Sequence, residues 1–281
     1  MAKIENQTTL YKQNVEAIQT KMSECGFPVG IPVYAIPDAL DAALGVHEVF
    51  VCSKTNTLYT QEQIQKMTAK QISAAIPSVR GIVLCAEGHR FLIAPTDAYL
   101  IDETDNESFK HYWGGYKFDT SMNNVGSSIG VEEQAAKTAA IFDFDGYAKT
   151  QIMKEELEDA QVIAPAGADE DETETQVGSA AYRAVAGYEE NTKISGGEKG
   201  WYIPAAGELA LIYRHLEAIH AIMDAFNNRA GIGMFEKFAN DYYWSSSELA
   251  STSAWSVYFG SGYFTTYTKY GQYRVRPVAA F

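Results

Sequence analysis

The chain has 281 residues, with 22 Lys and Arg against 36 Asp and Glu, a formal net charge of −14, and 46% hydrophobic residues. That acidity speaks against a nucleic-acid phosphate backbone as partner, and no apolar run approaches the roughly 20 residues of a membrane span. The length allows one large domain or two modest ones.

The opening run MAKIENQTTLYKQN lacks the apolar core of a secretory signal. Cys25, Cys52 and Cys85 show no metal-ligand spacing and leave an odd thiol, so neither a metal site nor a disulfide framework is expected. These features predict a chain made and folded in a reducing cytoplasm. Tyr11, Val15, Ile18, Met22 and Cys25 recur at spacings of four and three. The seam is that of a short coiled coil or of a helix lying on its own domain. Gly26, Pro28, Gly30 and Pro32 stop it. A strand is expected at Val46 to Cys52, a turn over SKTNTLYT, and a helix from Gln61 to Ala75 with Thr60 and Gln63 as its capping box. Residues 1–78 read as a small α/β module for assembly or attachment.

From Val79 the run GIVLCAEGHRFLIAP predicts two strands around a Glu-Gly turn. The segment YWGGYKF follows a polar loop. AIFDFDGYAKT, Ala140 to Thr150, reads as a strand end, and KTQIMKEELEDA as a helix. The acidic run PAGADEDETETQ reads as a solvated loop, and AAYRAVAGY as a further helix. Trp201 to Pro204 is expected to be short and buried. Pro204 pre-sets one long helix, Ala205 to Asn227, whose Leu209, Ile212, Leu216, Ile219, Ile222, Met223 and Phe226 form a core-facing stripe. His215 and His220, five apart, do not share a face for metal binding and read as surface or packed helix residues.

IFDFDG also matches the opening of Asp-x-Asp phosphotransferases, in which Asp143 would be the nucleophile and Asp145 the acid/base. The alternating strand–helix run of a parallel sheet does not follow it. A phosphohydrolase is therefore the alternative reading.

The last forty residues, Tyr242 to Phe281, interleave two kinds of position. Trp255, Val257 and Phe259 alternate with Ser256, Tyr258 and Gly260, the pattern of a strand with one buried and one displayed face. The displayed set is rich in Tyr, Ser, Thr and Gly, the composition of an antibody combining site, although Tyr and Thr favour strands in any setting.

GWYIPAAGEL (Gly200 to Leu209), YYWSSSE (Tyr242 to Glu248), AWSVYFGSG (Ala254 to Gly262) and YRVRPVAAF (Tyr273 to Phe281), in that order, resemble the C-type-lectin-fold variable proteins of diversity-generating retroelements. Phage tropism determinants on tail fibres are related to them in fold. In that family adenine-directed mutation turns Asn-type codons into Tyr, Ser, Thr, Gly, Phe or Leu, and cannot produce Lys, Gln, Glu, Met or Trp. Trp255, Lys269 and Gln272 lie outside that menu, as fixed positions should. The resemblance implies an α+β fold: a C-type-lectin-like domain, antiparallel β with two packed helices, over 79–281, preceded by the small N-terminal module. Trp201, Trp244 and Trp255 should be buried.

It further implies a non-catalytic binding protein with no cofactor and no metal, or, failing that, a structural lectin-fold subunit of a virion. The ligand-binding set is then Leu249, Ser251, Thr252, Ser253, Ser256, Tyr258, Gly260, Ser261, Tyr263, Thr265, Thr266, Tyr267, Thr268 and Tyr270. The expected partner is a protein or glycan on a target cell surface, with neither nucleic acid nor membrane insertion involved. The chain would be virion-associated, docked to the particle or self-associated as a trimer. Formylglycine-generating enzymes share the fold but work through C-terminal cysteines, and every Cys here precedes residue 86. Arg274 and Arg276, flanking Val275, are expected to be ion-paired within the domain, with Glu208 and Glu248 as candidate partners.

Overall fold

The computed structural model describes residues 31–32, 48–54, 56–101, 106–116, 119–122, 125, 133–158 and 178–281. The seam from Tyr11 to Cys25 and the acidic run 165–176 lie outside the described residues. Two compact units are present: residues 1–95 with 215–237 and Phe281, and residues 96–214 with 238–280.

In the first unit, strands β1 (Ile31–Pro32), β2 (Glu48–Ser53), β3 (Thr57–Tyr59), β4 (Val79–Ala86) and β5 (His89–Ile93) pair antiparallel in the order β1-β3-β2-β4-β5. The β4–β5 hairpin turns at Glu87 and Gly88, both with positive φ (53° and 81°), at the Glu-Gly pair expected to turn. SKTNTLYT is not all turn, because Thr57 to Tyr59 returns alongside β2. The expected single helix is two, Gln61–Lys66 and Ala69–Ala75. Thr60 caps the first with Gln63 as predicted, and Thr68 with Gln71 forms a second capping box that restarts the chain. The helix Leu216–Ala230 packs on both helices and on β2. Its Ile219, Ile222, Met223 and Phe226 join Val51, Leu58, Ile64, Ile82 and Leu84 among the buried residues. The sequence boundary at Val79 falls inside the β2–β4 pairing, Glu48↔Cys85 to Ser53↔Val79.

In the second unit, β6 (Leu100–Ile101) pairs with β7 (Glu107–Ser108), and β8 (His111–Tyr112) with β13 (Gln272–Tyr273). β9 (Trp201–Tyr202) pairs with β14 (Val278–Ala280). β10 (Tyr242–Ala250), β11 (Ser253–Tyr258) and β12 (Tyr263–Thr268) form an antiparallel sheet in that order. Helices Gly146–Leu157 and Ala206–Arg214 pack on it, so the expected α+β arrangement of helices on antiparallel sheet is present. Trp201, Trp244 and Trp255 are all buried. Trp113 is buried too, beside Gly114, whose φ is 93° and whose added Cβ would fall 1.9 Å from the Gly178 carbonyl oxygen.

Two expectations fail here. Ala140 to Thr150 is no strand end: the helix Glu133–Ile141 stops at Phe142, and the next begins at Gly146. The long helix Ala205 to Asn227 is interrupted at His215 (φ −107°, ψ 16°), where the chain passes from one unit to the other.

Candidate functional site

Strand β10 carries Tyr242, Tyr243 and Trp244 in succession, and strand pleating sorts them by parity onto two faces. Tyr242 lies opposite Tyr258 and Trp244 opposite Ser256. Tyr258 lies opposite Tyr263, Ser256 opposite Thr265 and Ala254 opposite Tyr267. These residues share one face. The other face holds Tyr243, Val257 and Phe264, with Trp255 opposite Thr266 and Ser253 opposite Thr268.

The second face is the inner one. Trp255 stacks on Phe264 with ring centroids 5.0 Å apart, in a cluster with Ala136, Ala140 and Ala206 to which Leu249 also contributes. The Trp255 indole N–H donates to the Val125 carbonyl at 2.9 Å.

On the first face the rings gather. Tyr242 meets Tyr258 and Tyr267, each at 4.8 Å between centroids, and Tyr273 at 5.2 Å. Tyr273 closes the group on Tyr267 at 4.9 Å and on buried Trp244 at 4.8 Å. Each such pair contributes on the order of 0.5–1.5 kcal/mol beyond area burial, so the patch supports its own geometry. The hydroxyl of Tyr242 hydrogen-bonds to Tyr267, which pushes its pKa up to about 12. It is therefore a neutral hydrogen-bonding group at physiological pH. Such a patch offers apolar ring area, donors and acceptors, and no general base.

At the margins Tyr263 is 51% and Tyr270 37% exposed. The Lys137 ammonium lies 5.6 Å from the Tyr263 ring centroid, and Tyr116 meets Tyr270 edge-on at 4.8 Å. Gly260 and Ser261 are exposed in the turn between β11 and β12. The atoms nearest a Cβ on Gly260 would be those of the Tyr258 ring, at 2.6 Å, so a side chain there requires that ring to shift. Gly262, by contrast, has φ 72° and would strike the Tyr213 ring at 2.1 Å.

The predicted set is thus divided. Tyr258, Tyr263, Thr265 and Tyr267 share the tyrosine face, and Gly260, Ser261 and Tyr270 are exposed beyond the strands. Ser256 points to that face as expected but is 0% exposed, with its hydroxyl directed to the Thr265 carbonyl at 3.4 Å. Leu249 packs on the inner cluster instead of being displayed. Ser253, Thr266 and Thr268 have inner-face parity and are half-buried, as are Ser251 and Thr252 at the β10–β11 turn. Tyr242 and Tyr273 complete the patch and were not in the predicted set. Nothing local marked either: the parity of Tyr242 with buried Trp244 pointed to burial, and Tyr273 lies outside the sheet.

The final strands are held by one buried carboxylate. Asp97 pairs with Arg276 Nε at 2.6 Å and Arg274 Nη1 at 2.9 Å, and accepts from the Tyr243 hydroxyl at 3.0 Å. Arg274 also reaches Asp241 at 3.4 Å. Both arginines are ion-paired as expected, but not to Glu208 or Glu248. Glu208 accepts from the Tyr202 hydroxyl at 2.9 Å and the Ala205 amide at 2.6 Å. Burial outweighs these donors and raises its pKa to about 8.

Asp143 is buried in an ion pair with Lys149 at 2.6 Å and accepts from the Ser247 hydroxyl, while Asp145 is exposed one turn on. Through these two partners the Asp143 carboxylate ties helix 146–157 to β10. Among the described residues no three His, Cys, Asp or Glu side chains gather as a metal site. Cys52 and Cys85 are buried and not joined in a disulfide, and burial pushes the Cys52 thiol up to about 12.

Residues 149–279 match the family model described as the Lcl C-terminal domain. Among solved structures, a fimbrial protein from Bacteroides ovatus ATCC 8483 is similar over 83% of this chain, at 13% identity and a TM-score of 0.49. The chain spans 48% of that protein's length. No curated protein sequence matches.

Proposed function

We propose that this chain, whose residues 149–279 form an Lcl C-terminal domain, is a non-catalytic protein that binds a ligand or receptor through a varied tyrosine-rich face. The observation that carries the reading is the separation of roles in the β10–β12 sheet. Trp255, Val257 and Phe264 face the core, while Tyr258, Tyr263 and Tyr267 occupy the opposite face. Side chains there can change without touching the inner cluster on which the sheet packs. Tyr is suited to the role, since it places a large amphipathic ring at low entropic cost. The partner is a protein or glycan on a target cell, and the setting is host attachment by a virion made in the cytoplasm. Self-association or docking through residues 1–78 would add avidity to weak single sites.

The test pairs stability with binding. Tyr258→Ser, Tyr263→Ser and Tyr267→Ser are each expected to stay folded, with Tyr263→Ser melting nearest the parent and Tyr267→Ser, which loses two ring contacts, lowest. All three are expected to lose binding to whole cells, or to glycan and surface-protein arrays. A truncated aromatic anchor costs about 2 kcal/mol or more of binding energy. Full retention of binding by all three variants would overturn the reading. A Tyr-rich face that packs permanently on one partner would instead copurify with it at fixed stoichiometry.

A further inference from the structure

The turn between β12 and β13 carries Lys269 between half-buried Thr268 and exposed Tyr270. Lys269 is fully buried, and so is Glu248 on β10, to which its ammonium is ion-paired. The same ammonium reaches the Gly115 carbonyl at 3.4 Å and lies 4.7 Å from the centroid of the buried Trp113 ring. An ammonium has three donors, and a carboxylate, a carbonyl and an aromatic face stand around this one. Glu248 in turn accepts from the Thr120 hydroxyl. The Lys269 main chain is held as well: its amide donates to the Thr252 carbonyl at 3.0 Å, and its carbonyl accepts from the Gly114 amide at 3.3 Å. The turn closes with the Gly271 amide on the Thr268 carbonyl at 2.8 Å. Tyr270 is left 37% exposed, in ring contact with Tyr116.

Resting on the binding function proposed above, we infer that Lys269 is the positioning residue of this turn. Its buried ion pair with Glu248 fixes the backbone from which Tyr270 is displayed, whatever side chain that position carries. An apolar residue at 269 would leave Glu248 buried without its counter-charge, and a lone buried charge is far costlier than the pair. Changing Thr268 or Tyr270 removes nothing from beneath the turn. The residue beside the displayed position 270 is therefore the invariant one.

Amide hydrogen exchange on the full chain tests this without any ligand, so its outcome is independent of the binding assays. In Lys269→Met the amides of Lys269 and Gly271 are expected to lose protection at least tenfold relative to the parent. Those of Val51 and Ile82, in the other compact unit, should stay within about twofold. Tyr270→Ser and Thr268→Ala are expected to leave Lys269 and Gly271 within about twofold. Should Lys269→Met not fold, Lys269→Met/Glu248→Met removes both charges and is read in the same way. Parent-like protection at 269 and 271 in the folded Lys269 variant overturns the assignment, as does an equal loss in Tyr270→Ser.

Discussion

Four ionisable residues show how burial decides a side chain's role. Glu208 has a folded-state pKa of about 8 against an ordinary value of 4.5, so the folded protein holds a proton that the unfolded chain has released. Stability from this group is fully present below about pH 4.5 and is lost as pH rises through 8. Glu208→Gln should remove that dependence: parent minus variant unfolding free energy should fall by a few kcal/mol between pH 5 and pH 9, an order-of-magnitude figure. Chemical denaturation at the two pH values measures it, and a constant difference would show that Glu208 does not titrate there. Asp97 holds both arginines, but unequally. Arg276 is fully buried, whereas Arg274 is about a quarter exposed and has Asp241 as a second partner. Arg276→Met is expected to destabilise by up to about 3–5 kcal/mol, the cost of breaking a buried pair, and Arg274→Met by clearly less. The former takes from Asp97 its fully buried partner and leaves it with Arg274 and the Tyr243 hydroxyl. Equal losses in denaturant titrations would place the two arginines on a par.

Strand β11 separates positions that tolerate change from those that do not. Trp255→Ala should cost about 3–5 kcal/mol as a core cavity beside Phe264, while Tyr263→Ser should stay within about 0.5 kcal/mol. Ser256 decides between parity and burial as guides to variation. Alternation alone assigns it to the displayed face, yet it is covered, so Ser256→Tyr should overpack the sheet by about 1–3 kcal/mol. Thr265→Tyr, directly opposite on β12, should be milder. Melting curves for the two variants would settle the order. Gly262 belongs with the intolerant positions, because its left-handed backbone and the Tyr213 ring both exclude a side chain.

For the whole molecule, the units do not follow the chain in order. The first is closed by residues 215–237, far from its other strands in sequence, and β4 needs β2 as its neighbour. A chain beginning at Val79 would expose one edge of β4 and remove the strand and helices on which helix 216–230 packs. Such a truncation is expected to lose amide protection at Ile82 and Leu84 and to aggregate. Native-like protection at these strands would show that the 79–281 segment folds alone.

What the sequence determined by itself is what depends on residues within a few positions of one another. The Thr60–Gln63 capping box, the Glu87-Gly88 hairpin and the burial of Trp201, Trp244 and Trp255 are of this kind, since a cap, a tight turn and a pleat are each complete within a short window. Ala140 to Thr150 went wrong within the same window, because a short apolar run carries no periodicity that separates strand from helix. The tertiary structure decided which carboxylate meets Arg274 and Arg276, because Asp97 lies 177 and 179 positions away and any acidic residue satisfies the same local pattern. It also decided that Tyr273 joins Tyr242, Tyr258 and Tyr267 while Ser256 is lost beneath. A strand's alternation states which way a side chain points, and only the packing of distant segments states what it meets there.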